Sequence, residues 1–208
     1  MKHLAYGYSV LCYPLFSPTI LAVVYCLLYK THSTEDLSLG SYSPVYWWVL
    51  VSCTMLFTCI IPLVLLLIMR HLGQITDLDV SNPEQRHEPY IFTLVSMSCW
   101  CVCLHALHVP PFLFWSAAAS VLSLFAVTFI TPYWKISAHL TAFGGSTAML
   151  LGILWFFGLP CSFAISLLAI LAWLLMLARI YLEAHTPVQV VCGYLLGLTT
   201  VLIPNMLL

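Results

Sequence analysis

Two short polar stretches interrupt an otherwise apolar chain, and both carry residue types that handle phosphate. One is Lys135-Ile136-Ser137-Ala138-His139. The other runs from Arg179 through Glu183 and His185 to Thr186-Pro187-Val188-Gln189. A guanidinium grips a phosphoryl group with a two-pronged fork, and an ammonium binds it as a point charge. A serine at the start of a helix adds a hydroxyl beside free backbone N–H groups. Two histidines complete a phosphotransfer set: one ring attacks phosphorus, and the other gives a proton to the leaving oxygen. Arg86 is a further cation in a polar region upstream.

These groups stand out because the chain has so few like them. It is 62% hydrophobic and 6% charged, with six basic and seven acidic residues in 208. A soluble domain carries about 25% charged residues. Mean hydropathy is +1.04. In such a setting an ionisable side chain is expensive and needs a purpose. The net charge of −1 offers no basic surface, so nucleic acid is not expected as a partner. Membrane lipids are partners by immersion.

The elements that must position the polar groups follow from the apolar runs. These are continuous and about 20 residues long, as in spanning helices, whereas barrel strands alternate at period two. The expected fold is all-α: a single polytopic transmembrane helical bundle over 1–208, with six or seven spans. The first span is placed at 1–29, retained for want of an A-x-A cleavage pattern and kinked at Pro14 and Pro18. A polar loop with Glu35 and Asp36 follows at 30–44, then a second span at 45–69 with Tyr46, Trp47 and Trp48 as interfacial anchors. Further spans are expected at 90–107, 112–130, 137–157 and 161–182. A seventh begins at Thr186 or Pro187, a good first residue for a helix. Successive spans run there and back. Arg86, the 135–139 stretch and the 179–189 stretch therefore fall on one side. The turns at Pro110-Pro111 and 158–160 carry no charge and fall on the other.

Other polar or reactive residues read more simply. Cys99, Cys101 and Cys103 alternate around a helix and do not share a metal; they read, like the other six cysteines, as packing residues. His105 and His108 read as interfacial polarity. Gly144, Gly145 and Gly152 allow close helix packing.

On its spacing the chain resembles the type 2 phosphatidic acid phosphatase superfamily of membrane lipid phosphatases, as a divergent member. That family carries K-x6-R-P, P-S-G-H and S-R-x5-H-x3-D. Arg179 and His185 reproduce R-x5-H, and Ser137-Ala138-His139 the second motif. Arg86 answers to the first, with Pro89 displaced by two residues, and the matches span about 86–197. The resemblance implies a phosphatase-like core over about 70–208. It implies His185 as nucleophile, His139 as proton donor, and Arg179, Ser137 and Arg86 as phosphate ligands, with no metal and no cofactor. The chain departs from the pattern at Asp79, where the family lysine would stand, and Lys135 is expected to supply that cation. It departs again at Gln189, which replaces the aspartate and is expected to orient His185. The implied activity is hydrolysis of a lipid phosphate or prenyl pyrophosphate, in a multi-pass protein of a bacterial inner membrane. The alternatives are a non-catalytic relative that binds a phospholipid headgroup or keeps only the fold, and a small transporter, against which the lack of an internal repeat counts.

Overall fold

The structure, a computed structural model, describes residues 2–32 and 43–207. Most of the expected polar loop, including Glu35 and Asp36, lies outside the described residues. Among the described residues every regular element is helical. Six segments are long and apolar enough to cross a membrane: Val45–His71, Pro83–Ala106, Pro111–Ile130, Ala138–Phe156, Ser162–Tyr181 and Pro187–Leu207. The chain is thus a multi-pass helical membrane protein, and six of the seven expected spans stand where the apolar runs place them.

The first expected span is corrected. Residues 2–32 form two helices, α1 (Lys2–Leu11) and α2 (Ser17–His32), separated by a turn around Pro14. At 10 and 16 residues, each falls short of the roughly 20 that cross a hydrocarbon core. The prolines break the run rather than kink it, because Pro14 supplies no N–H to continue α1 and Pro18 suits the opening turn of α2. The fragments serve different neighbours. Tyr8 on α1 donates to the Leu171 carbonyl at 2.9 Å, whereas Tyr25 on α2 packs against Trp47, Phe112, Phe156 and Phe157.

The first full span comprises α3 (Pro44–Met55), a π turn (Leu56–Ile60) and α4 (Ile61–His71). Pro62 lies at the start of α4, and a proline there disturbs the preceding turn of backbone hydrogen bonds. Ser96 donates to the Phe57 carbonyl at 2.6 Å, giving this irregular turn a polar partner inside the bundle. Ser96 lies on α5 (His87–Ala106) and is followed by α6 (Pro111–Ile130).

The remaining spans, α7 (Ala138–Phe156), α8 (Ser162–Tyr181) and α9 (Pro187–Leu207), carry the two motif stretches at their ends. Helices α7 and α9 approach until backbone meets backbone. A Cβ on Gly197 would run into the Thr141 carbonyl, and one on Gly144 into the Tyr194 carbonyl. Small residues permit this approach, and in lipid such packing replaces the hydrophobic drive available in water. It fixes the starts of α7 and α9 side by side, which is where the motif residues lie.

Candidate functional site

The turn from α8 to α9 sets His185. Helix α8 ends at a left-handed residue, Glu183, with φ 56°. The Ala184 N–H reaches back to the Arg179 carbonyl at 3.1 Å, closing the helix end. Thr186 then opens α9. Its N–H donates to Gln189 Oε1 at 3.0 Å, and the Gln189 N–H donates to Thr186 Oγ1 at 3.4 Å. This is a reciprocal capping box, and Thr186-Pro187-Val188-Gln189 has its sequence signature. His185 is held between these two devices.

The expected role of Gln189 is therefore corrected. Its amide caps α9, and the acceptor at His185 Nδ1 is the Lys135 backbone carbonyl, 3.2 Å away. A carbonyl only accepts, so Nδ1 carries the hydrogen and Nε2 keeps its lone pair. Burial, then Arg86 and Arg179, push the imidazole down to about 4, against the opposing effect of the Lys135 carbonyl. At neutral pH the ring is therefore uncharged.

Ser137 is the N-cap of α7, but its side chain makes no cap bond. Its hydroxyl is buried without a hydrogen-bond partner among the described residues. His139, two residues on, packs edge-on against Tyr13, 5.4 Å between ring centres. Its Nε2 is likewise buried and unpartnered, 4.0 Å from Asp79 Oδ1. Arg179 is 2% exposed. Its Nη1 donates to Ser9 Oγ at 2.8 Å and to Asp79 Oδ2 at 2.9 Å, while Nε has no partner. Arg86 is also 2% exposed; it donates from Nε to the Val80 carbonyl at 2.7 Å and from Nη1 to the Ile136 carbonyl at 3.5 Å.

Arg86, His139, Arg179 and His185 line one cavity of about 150 Å³. Ser137 lies next to it at the head of α7. Lys135 and Gln189 do not line it. Lys135 is half-buried, and burial, then Arg86 and Arg179, hold its ammonium below the ordinary lysine range, with Asp77 opposing. Its backbone carbonyl is the part that touches the site. From the charged end the cavity continues past Met97, Trp100, Leu124, Val127 and Met149 into the apolar bundle. His139 to Met149 is ten residues, or about 15 Å of helix.

Two groups of the site escape sequence reading. Ser9 is a lone serine in an apolar run, 170 residues from its partner Arg179. Asp79 is set aside by its sign, yet it pairs with Arg179. The one legible signal for Asp79 is its register, seven residues before Arg86. Elsewhere, His105 and His108 are both exposed and His108 lies beyond the end of α5. Among the described residues no three His, Cys, Asp or Glu side chains converge as metal ligands. Compared with protein-family models, curated proteins and solved structures, the chain matches none.

Proposed function

We propose that the chain is a membrane phosphatase that hydrolyses a lipid phosphate or prenyl pyrophosphate through a phosphohistidine at His185, on a core of the phosphatidic acid phosphatase type 2 kind. One observation carries this reading. Ser137 Oγ and His139 Nε2 at the head of α7, and Arg179 Nε in the last turn of α8, are buried without hydrogen-bond partners around one cavity. Unpaired buried polar atoms are destabilising, and three together call for a ligand that satisfies them. A tetrahedral anion does so, aided by the free N–H groups at the start of α7 and by Arg86.

The chemistry uses these groups in two steps. His185 Nε2 attacks phosphorus while the bond from phosphorus to the leaving oxygen breaks. The bonding pair goes to that oxygen, which takes a proton from His139, the ring having picked up that proton from the incoming phosphate monoanion. Water then attacks the phosphohistidine, gives a proton to His139, and frees Nε2 as the P–N bond breaks. The Lys135 carbonyl holds the Nδ1 hydrogen throughout and fixes the tautomer. It is neutral, so the charge developing on His185 is offset by the phosphoryl group rather than by a carboxylate.

The cavity favours a lipid over a soluble phosphate. A volume of about 150 Å³ suits a benzene-sized group, which is a phosphoryl head and the first carbons of a chain. The rest of the chain lies along the apolar extension or in the bilayer. The membrane expected for this role is a bacterial inner membrane.

Purified protein is expected to release phosphate from a short-chain lipid phosphate without added metal, and His185→Ala to abolish release. Equal release by His185→Ala would remove the assigned nucleophile. A second reading, headgroup binding without turnover, is favoured by the neutral acceptor at His185 Nδ1. It predicts lipid-dependent thermal stabilisation that is lost in Arg179→Ala, and no release.

A further inference from the structure

Among the described residues Asp79 makes the ion pair with Arg179, at 2.9 Å, and stands 4.0 Å from His139 Nε2, beyond hydrogen-bond reach and an ion pair only when that ring is protonated. A carboxylate beside an anion site needs explaining, since it opposes the ligand's charge. The geometry of Arg179 supplies the reason. Its Nη1 is held from two sides, by Asp79 Oδ2 and by Ser9 Oγ. Its Nε is buried and unpartnered. In a planar guanidinium Nε and Nη2 share one edge, and that edge forks a carboxylate or phosphate. Fixing Nη1 leaves the Nε–Nη2 edge open, in a residue that lines the cavity.

Asp79 is itself held firmly. The carbonyl before it, on Leu78, accepts from Tyr13 Oη at 2.6 Å. The carbonyl after it, on Val80, accepts from Arg86 Nε at 2.7 Å. Val80 is 3% exposed and has φ 45°, a left-handed conformation that a β-branched residue adopts only when its surroundings enforce it. Such strain persists where the structure overdetermines a position, and here it places the carboxylate on Arg179.

We infer that Asp79, with Ser9 beside it, is a positioning residue that holds the Arg179 guanidinium with its Nε–Nη2 edge presented to the phosphoryl oxygens. This rests on the anion-site reading above. A lone buried guanidinium would otherwise turn to whatever acceptor is nearest, and its fork would be lost. The carboxylate thus opposes the ligand weakly through its charge and assists it strongly through the arginine.

The test is binding of inorganic phosphate to the full chain in detergent, read by thermal stabilisation and calorimetry. Asp79→Asn is expected to weaken phosphate binding about tenfold or more, because misaiming a bound group by an ångström has effects of that order or greater. Ser9→Ala, which removes no charge and is the milder change, is expected to weaken it about threefold. Asp79→Glu should recover part of the loss. Phosphate affinity that is unchanged in both Asp79→Asn and Ser9→Ala overturns the inference, even where the melting temperature falls, since that is a structural role alone. Tighter binding in Asp79→Asn also overturns it, because the carboxylate would then be a competitor of the ligand. Should Asp79→Asn not fold, Ser9→Ala decides the question alone. Wild-type protein that binds no phosphate at all would instead remove the anion-site reading on which the inference stands.

Discussion

At one end of the bundle Tyr25, Phe112, Phe156 and Phe157 pack ring against ring, with Phe112 and Phe156 stacked at 4.5 Å. At the other end Ser137, His139 and Arg179 keep buried polar atoms without partners. Helix α7 runs into both, beginning beside Ser137 and ending at Phe156. The aromatic end packs its rings against one another and so gives stability. At the polar end, buried groups without hydrogen-bond partners reduce stability unless a ligand satisfies them, and the proposed function supplies an anion there. That contrast distinguishes a part of the molecule that holds the fold from the part proposed to act.

The contrast breaks most visibly at the polar end. His185→Ala and Arg179→Ala should each lower phosphate release by ~10³-fold or more, as losses of transition-state groups do, while leaving the protein folded in detergent. A change at the aromatic end should do the reverse. Phe112→Ala is expected to destabilise the protein by about 3 kcal/mol and to leave release per folded molecule unchanged. A melting curve and a rate measured on the same preparation read both, and a Phe112→Ala protein of normal stability but poor turnover would undo the division.

A smaller effect comes from pH. Burial, with Arg86 and Arg179 beside it, pushes His185 down from an ordinary 6.5 to about 4 in the fold. The fold favours the neutral ring, so stability from this group is full above about pH 6.5 and is lost as pH falls towards 4. The loss amounts to about 3 kcal/mol at most. The wild-type melting temperature should decline across that window more steeply than that of His185→Asn. Identical slopes would mean that His185 is not buried beside its cations.

The smallest effect is expected at Gln189. As a capping residue it contributes about 1 kcal/mol or less, so Gln189→Ala should lower the melting point slightly and barely alter turnover. A large loss of turnover would return Gln189 to the orienting role that its spacing first implies.

Gln189 also teaches what the chain discloses before it folds. Arg179, His185, Ser137 and His139 are legible because each lies near a span boundary, where a cation or imidazole in a 62% hydrophobic chain is conspicuous. Gln189 is misread because two patterns overlap on it: position four after the histidine, and position three after the capping threonine. Local hydrogen bonding wins, since the cap closes within one turn. Asp79 is misread because its sign is judged against the ligand, whereas its partner is Arg179. Ser9 is out of reach, because no local pattern announces a contact across 170 residues. The six long spans follow from apolar length alone, whereas the break between α1 and α2 shows prolines ending a run that composition leaves continuous.

The role proposed for His185 is to take the phosphoryl group. It is tested most directly by brief reaction with a ³²P-labelled short-chain lipid phosphate, quenched in base, followed by mapping of the labelled peptide. Label on His185, absent from His185→Ala and accumulating in His139→Ala under a substrate whose leaving group needs no proton, is the predicted result. Steady turnover with no labelled histidine, or label on His139, would contradict it.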